Sequence, residues 1–215
     1  MRLNVERGLN RFVERDMATH QLGLFESDPR WPEGLAYQDG FISAEEEGAL
    51  VPEISELSFK PFEFHGFQGN RRTVSFGWHY AFDGSGLKEA EPIPPWLLPL
   101  RERVARFAGL APDALAHVLV IEYAPGAGIG WHRDRPVFED VIGVSLVAEA
   151  RLRFRRKRGA GWERASLIAR PRSAYLLRGA ARSEWEHSIP AMECLRYSIT
   201  FRSFREESDP RRTSA

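Results

Sequence analysis

The sequence predicts an α+β fold in which a β-roll is buttressed on one side by helices. Two helical patterns precede residue 110, and from residue 117 onward the pattern changes to short strands. Glycine, proline or charged turns bound each strand, as is typical of a sandwich or roll. Helices followed by strands favour a roll packed on one face by helices. The predicted strands are HVLVIEY, IGWH, VIGVSL, RLRF, SAYLL and LRYSITF.

Each of the two helices carries a terminal signal. Ser43 and Glu46 have the spacing of a capping box, which predicts a helix start, although Pro52 limits the regularity of that helix. The second helix is predicted to end at Gly109, after an apolar stripe made by Leu100, Val104 and Phe107.

Length and charge predict one catalytic domain. The 215 residues suffice for a core without disulfides, and 30 basic residues balance 30 acidic ones, so a nucleic acid would have to bind a local patch. The single cysteine, Cys194, is expected to be a buried thiol in a reducing compartment. We predict a monomeric cytoplasmic protein with a loosely ordered extension over 1–25, a domain over 26–205 and a disordered tail over 206–215.

Three residues are candidate metal ligands. His132 and Asp134 lie two positions apart in GWHRDRP, so on a strand both project to the same side. His187 follows far enough along the chain to return across a roll. Two histidines and a carboxylate form the facial triad of non-haem Fe(II) oxygenases, although a His-x-Asp pair alone is a weak signal.

The last strand carries a second candidate pattern. Arg196 and Arg202 bracket the polar face of LRYSITFR, with Cα atoms roughly 20 Å apart at strand spacing. If both side chains lean inward, a five-carbon diacid fits between the guanidinium groups. The alternative, two independent charges on a solvated face, has equal weight on spacing alone.

The order and spacing of WHRD, RSEWEH and RYSITFR resemble the AlkB family of 2-oxoglutarate dioxygenases. The resemblance covers residues 117–205 and extends more loosely back to residue 35, including the approach YAPGAGIGWH. It implies a double-stranded β-helix core of the jelly-roll or cupin-like kind. It also implies Fe(II), 2-oxoglutarate and O2 as cofactors and cosubstrates.

The resemblance also implies roles for individual residues. His132, Asp134 and His187 would bind Fe(II). The 2-oxoglutarate residues would be Arg196 and Tyr123 at the distal carboxylate, Arg202 near the chelating carboxylate, and Ser198 in support. Arg182 resembles a loop anchor and Trp185 a packing residue, and neither is placed in the site.

The implied reaction is oxidative demethylation of an N-alkylated nucleobase, with release of formaldehyde, succinate and CO2. The partner would be single-stranded or locally opened DNA or RNA, and no membrane. Residues 60–95 would cover the substrate, with Trp78 and Tyr80 stacking on a base and Arg71 and Arg72 meeting phosphates. The alternative for these aromatic residues is a hairpin core.

Two residues depart from the family pattern and keep other functions open. Ile121 replaces an asparagine near the cosubstrate, and Pro136 replaces an acid that reads the damaged base. The alternatives are the same chemistry on a protein or small molecule, or a catalytically silent roll that binds nucleic acid or a partner through the basic run RLRFRRKR. For that run, a solvated strand face is the competing interpretation.

Overall fold

The structure is a computed structural model that describes residues 31–64, 67–81 and 86–212. The predicted extension over 1–25 lies outside the described residues. The helices are α1 (Ala44–Ser55), α2 (Leu98–Ala108) and α3 (Gly179–Ser183). The strands, in chain order, are β1 (Leu35–Gln38), β2 (Lys60–Phe64), β3 (Phe67–Phe76), β4 (Trp78–Ala81), β5 (Gly86–Glu89), β6 (His117–Tyr123), β7 (Ile129–His132), β8 (Phe138–Leu146), β9 (Ala150–Arg158), β10 (Gly161–Ala169), β11 (Ser173–Leu177), β12 (Glu186–Ile189) and β13 (Arg196–Phe204).

Two antiparallel sheets face each other and form the roll. The larger sheet has the order β1-β11-β8-β13-β6-β3-β2, and the smaller has the order β10-β9-β12-β7. The space between them is filled by an apolar cluster that includes Ile121, Tyr123, Leu152, Phe154 and Trp185. Strands β4 and β5 form a separate hairpin. The predicted β-roll is confirmed, and its interior lies between the two sheets.

The helices cover the opposite face of the larger sheet. Ile54 of α1 and Val104 of α2 belong to one cluster with Val120, Ile199 and Phe201 of the central strands. The odd-numbered positions of β13 therefore face the helices, while its even-numbered positions face the interior of the roll.

The helix ends follow the predicted signals. The Ser43 hydroxyl accepts a bond from the Glu46 amide at 3.0 Å, and the Glu46 carboxylate accepts one from the Ser43 amide at 2.8 Å, so the capping box is complete. Helix α2 ends at Gly109, whose φ of 66° is the left-handed conformation in which glycine is favoured. Pro52 lies within α1 without ending it.

Several expectations differ from the structure. Strands were expected only from residue 117 onward, but β1 to β5 all precede it. Strand β10 was not predicted because only Leu167 and Ala169 along it are buried, which leaves too little apolar alternation to signal a strand. Cys194 is exposed, because it lies in the turn before β13 and not within the strand. Residues 206–212, expected to be disordered, form two short 3-10 turns in which Arg211 donates to the Asp113 carbonyl oxygen at 2.8 Å and pairs with Asp209.

None of the helices among the described residues has the length and apolar character needed to span a membrane.

Candidate active site

The two candidate histidine ligands lie side by side on the inner face of the smaller sheet. His187 on β12 pairs in register with His132 on β7, and their ring centroids are 4.2 Å apart. The ring of His187 also lies near the buried Phe154, which places both imidazoles inside the roll. Nδ1 of His132 is 2.9 Å from the Gly130 carbonyl oxygen, so a hydrogen bond from Nδ1 leaves Nε2 available as a ligand.

Asp134 follows β7 and turns its carboxylate toward the histidines. Its Oδ2 is 3.7 Å from Nε2 of His187. Its Oδ1 accepts hydrogen bonds from Nε and Nη2 of Arg202 at 3.1 and 2.8 Å. Arg202 therefore orients the carboxylate through one oxygen and leaves the other facing the histidines.

The protonation states of these side chains suit the binding of a metal cation. Burial alone would raise the pKa of Asp134, but Arg202 and the two histidines outweigh it, and the pKa lies well below its usual range. Burial, assisted by His132, lowers the pKa of His187 to about 3. A charged carboxylate beside neutral imidazoles is the state that a divalent metal requires of its ligands.

The donor types fit an Fe(II) facial triad, although the three side chains lie farther apart than bound ligands would. Within the described ranges, no three histidine, cysteine, aspartate or glutamate side chains are already close enough together to hold a metal ion. Two donors at right angles around an ion, each about 2.1 Å from it, are about 3 Å apart. The 3.7 Å between Asp134 and His187 is thus within a small side-chain adjustment of that distance. The assignment of His132, Asp134 and His187 to the metal stays a prediction.

The arginines of β13 are buried inside the roll. Arg196 is fully buried, and Arg202 is 8% exposed. The alternative of two independent charges on a solvated face is therefore excluded. Ser198, at 2% exposure, lies between them on the same inward face.

Arg196 is the clearest candidate for binding an anion. Its Nε donates to the Ser145 hydroxyl at 3.1 Å, and its guanidinium lies 5.1 Å from the ring centre of Tyr123. Neither Nη atom has a hydrogen-bond partner among the described residues. Because an unpaired buried guanidinium is costly, this arrangement fits the distal carboxylate of 2-oxoglutarate.

Tyr175 is a site residue that sequence reasoning missed. Burial raises the pKa of its hydroxyl to about 12, and the neighbours that influence it include Arg196, Tyr123 and Asp134. It therefore remains a neutral donor in the same interior space. A methyl group at Gly143, opposite Tyr175 in the β8–β11 register, would lie 2.2 Å from the tyrosine ring. The pairing of a glycine with an aromatic residue across two strands is the signal that could have identified it.

We predict that Gly143→Ala weakens 2-oxoglutarate binding, because the added methyl group displaces the Tyr175 ring. We expect the KM for 2-oxoglutarate to rise about 10-fold, which corresponds to about 1.4 kcal/mol. Gly48→Ala is the matched control, since a methyl group there meets open space. Equal KM values in wild type and Gly143→Ala would show that Tyr175 does not shape the cosubstrate space.

The segment YAPGAGIGWH is hydrogen-bonded to the loop that follows β12. The Gly126 amide donates to the Met192 carbonyl oxygen at 2.7 Å, and the Met192 amide donates to the Ala127 carbonyl oxygen at 2.8 Å. Gly126 has a φ of 84°, and a methyl group at Gly128 would lie within 3 Å of the backbone at Ile189 and Pro190. These glycines let the two strands that carry the candidate histidine ligands approach each other.

The four candidate substrate residues are not placed together. Arg72 pairs with Glu122 at 2.7 and 2.9 Å on the helix side of β3. Arg71 points to the other face, where its positive charge contributes to lowering the pKa of His132, which burial lowers most. Trp78 packs edge-on against Phe204, as the hairpin-core alternative expected.

Tyr80 contacts the loop that follows β7. The guanidinium of Arg135 lies 4.9 Å from the Tyr80 ring centre. Arg182 anchors the same loop, as expected, by donating from Nη2 to the carbonyl oxygens of Arg135 and Phe138. Trp185 is buried in the core between the sheets. Pro136 lies within this anchored loop, next to Arg135.

Comparisons with known proteins agree with this geometry. Residues 34–202 match the sequence profile of the 2OG-Fe(II) oxygenase superfamily. The chain is 26% identical over 193 residues to the "Alkylated DNA repair protein ALKBH8 homolog" of Arabidopsis thaliana, covering 79% of this chain and 54% of that protein. It is 32% identical over 111 residues to the "Probable RNA/DNA demethylase ALKBH6" of Danio rerio, covering 52% and 45%. The chain thus spans about half the length of these relatives.

A solved structure, that of OsALKBH1, shares the fold with a TM-score of 0.60 at 13% identity, and the likeness covers 79% of this chain and 98% of that one. The matched family uses Fe(II), 2-oxoglutarate and O2, and its enzymes are dioxygenases, a class of oxidoreductase. The profile match spans most of the predicted domain over 26–205. The chain belongs to the 2OG-Fe(II) oxygenase superfamily and is an AlkB-like member of it.

Proposed function

We propose that this domain oxidatively demethylates N-alkylated nucleobases in single-stranded or locally opened DNA or RNA. The observation that carries the proposal is the convergence of His132, Asp134 and His187 within the roll that also buries Arg196. This is the combination that a 2-oxoglutarate oxygenase needs, with three metal ligands and a buried cation for a dicarboxylate.

The metal and cosubstrate would be held by different walls of the roll. His132, Asp134 and His187 on the smaller-sheet side would hold Fe(II), which supplies the redox chemistry that couples O2 to 2-oxoglutarate when bound. Arg196 on the larger sheet, with Tyr123, would receive the distal carboxylate. Tyr175 supplies a neutral hydroxyl donor beside them.

Arg202 is proposed to position the carboxylate ligand. It holds Oδ1 of Asp134, and its Nη1 is 3.4 Å from Nδ1 of the buried His117. Partners of this kind fix the orientation of metal ligands and usually contribute substantially to metal affinity. The earlier expectation that Arg202 also lies near the chelating carboxylate of 2-oxoglutarate stays a prediction.

The proposed reaction consumes both atoms of O2. One oxygen atom of O2 enters succinate as 2-oxoglutarate loses CO2, and the other enters a C–H bond of the N-methyl group. The C–N bond of the resulting N-hydroxymethyl group then breaks as the hydroxyl proton is lost to solvent, formaldehyde leaves, and the electron pair of that bond stays on the ring nitrogen. The buried walls of the site exclude water during this sequence.

The names of the relatives support a nucleobase substrate, since one is an alkylated DNA repair protein and the other a probable RNA/DNA demethylase. Arg71 adds a positive charge near His132. Tyr80 adds a half-buried aromatic ring on the adjacent hairpin. We propose Arg71 and Tyr80 as the substrate contacts. Arg72 and Trp78 are engaged with Glu122 and Phe204 and are weaker candidates.

The test is mass spectrometry of single-stranded DNA and RNA oligonucleotides that carry 1-methyladenine or 3-methylcytosine, incubated with Fe(II) and 2-oxoglutarate. We expect a loss of one methyl group per modified base, together with equimolar succinate and formaldehyde. The His132→Ala variant is the control and is expected to show no loss.

A second candidate function keeps the chemistry but changes the substrate to a protein side chain or a small molecule. The balanced overall charge favours it, because nucleic-acid enzymes often have a basic excess. Succinate formed without any demethylation of either nucleic acid would reject the nucleobase proposal and favour this one.

A further inference from the structure

The outward face of the smaller sheet is basic and aromatic, unlike the chain as a whole. Side chains alternate along each strand, so the face is formed by the residues opposite the inward-facing His132, His187 and Phe154. Five cations and one carboxylate lie on it together with two tryptophans. We call this surface the outer basic face, formed by Trp131, Arg151, Arg153, Arg155, Lys157, Trp162, Arg164 and Glu186.

Stacking between arginines and tryptophans orders the centre of this face. The guanidinium of Arg155 lies 4.4 Å from the ring centre of Trp131 and 4.4 Å from that of Trp162. Arg153 lies 5.1 Å from Trp131, and its Nε donates to the Ser188 hydroxyl at 3.0 Å. The side chains are thus held in place before any partner binds, which lowers the entropy cost of binding.

The positive charge on the face is largely unneutralised. Arg155 pairs with Glu186 at 2.6 Å. By contrast, the other four cations of the face make no ion pair with any carboxylate in the described part of the chain; they are Arg151, Arg153, Lys157 and Arg164. Because the whole chain has a net charge of zero, this face concentrates a local positive potential.

The face also offers room and an exposed stacking surface. A cavity of about 680 Å³ lies against it, lined in part by Trp131, Arg153 and Arg164. Trp162 is 40% exposed, which is unusual for so large an apolar ring. Cations interleaved with aromatic rings bind single-stranded nucleic acid, whose phosphates meet the cations while its unstacked bases meet the rings.

We propose that the outer basic face binds single-stranded nucleic acid that flanks the base being processed. Trp131 and His132 are neighbours on β7 with side chains on opposite faces, so the face begins directly behind the metal ligands. A strand lying on it can therefore pass around the β7 edge toward the site. A single strand is favoured over a duplex, because paired bases are already stacked and cannot cover Trp162. This inference rests on the nucleic-acid substrate proposed above.

The test is the binding of a fluorescein-labelled, unmodified 20-nucleotide single strand, measured by anisotropy across a salt series. The slope of log affinity against log salt concentration is negative, and each phosphate contact removed should reduce its magnitude by about 0.7. We expect the double variant Arg151→Gln/Arg164→Gln to lose about 1.4 in slope. Trp162→Ala should weaken binding about 5- to 150-fold without changing the slope.

A charge-matched control is Lys60→Gln/Arg106→Gln, which removes two exposed cations outside the outer basic face and should leave affinity and slope unchanged. Equal losses in both double variants would overturn the proposal, because they would indicate nonspecific attraction. Equally effective competition by polyglutamate of matched charge would also overturn it and would indicate an acidic polypeptide as the partner.

A second readout separates this proposal from the demethylase proposal. The ratio of KM values for a methylated 20-mer and a methylated trinucleotide should change in the face variants if the flanking strand binds there. If the face variants demethylate with an unchanged KM ratio and unchanged strand binding, the outer basic face is not the binding surface, and the demethylase proposal stands. If strand binding depends on the face but no demethylation occurs, the face is a binding surface, and the proposed substrate of the enzyme is wrong.

Discussion

Replacing His187 by alanine is expected to lower the rate of succinate formation by more than about 100-fold. Even partners that only orient metal ligands usually contribute 10- to 100-fold to affinity or activity, so loss of a direct ligand should cost more. His187 supplies one of two imidazoles held 4.2 Å apart, and His132 with Asp134 cannot complete a facial triad without it. The measurement is succinate production with saturating 2-oxoglutarate, together with bound iron per chain.

His79→Ala is the matched control, because His79 is an exposed histidine on β4. We expect it to keep the wild-type rate and iron content. An unchanged melting temperature of the iron-free His187→Ala protein would show that the fold is intact. Full iron content in His187→Ala would remove His187 from the metal site.

Replacing Arg196 by methionine is expected to raise the KM for 2-oxoglutarate by about 10- to 150-fold. A hydrogen bond to a charged group contributes about 1.5–3 kcal/mol, which corresponds to that range. The two Nη atoms of Arg196 are buried donors that have no hydrogen-bond partner within the described part of the chain, so both are available to a carboxylate. Methionine has a similar length and removes the charge, so the core should tolerate the change.

The melting temperature, measured with and without 2-oxoglutarate, distinguishes a loss of cosubstrate binding from a loss of folding stability. Saturating 2-oxoglutarate should raise the melting temperature of wild type and of the control Arg72→Met, whose guanidinium is bound to Glu122 on the opposite face of the larger sheet. Arg196→Met should lose that ligand-induced shift. Without ligand it should melt at or above the wild-type temperature, because an unpaired buried charge has been removed. A shift of wild-type size in Arg196→Met would mean that the carboxylate binds elsewhere.

The sequence predicted the parts of the site that depend on strand alternation and order. The two-residue spacing of His132 and Asp134 was enough to predict that they face the same side of a strand. His187 was predicted to join them because it follows several strands later, where a roll can return the chain. The structure adds that His187 and His132 are direct register partners across β12 and β7. The alternation of apolar and polar residues along β13 predicted its two faces, but only the structure shows that the polar face with Arg196 and Arg202 points into the roll.

Features that depend on contacts between distant strands could not be predicted. Tyr175 joins the site because Gly143 on the neighbouring strand leaves space for its ring, and neither residue signals this alone. Which of Arg71 and Arg72 faces the interior depends on the β3–β6 register, which pairs Arg72 with Glu122. The outer basic face depends on β10, which pairs with β9 and so places Trp162 and Arg164 beside the run RLRFRRKR. Because β10 has little apolar alternation, neither the strand nor this pairing could be predicted.

The most direct test of the site is the anomalous difference density of iron in crystals grown without oxygen in the presence of Fe(II) and 2-oxoglutarate. We predict one iron peak bonded to His132, Asp134 and His187, with the distal carboxylate of 2-oxoglutarate against Arg196. An iron peak away from these three side chains, or a cosubstrate whose distal carboxylate does not contact Arg196, would contradict it.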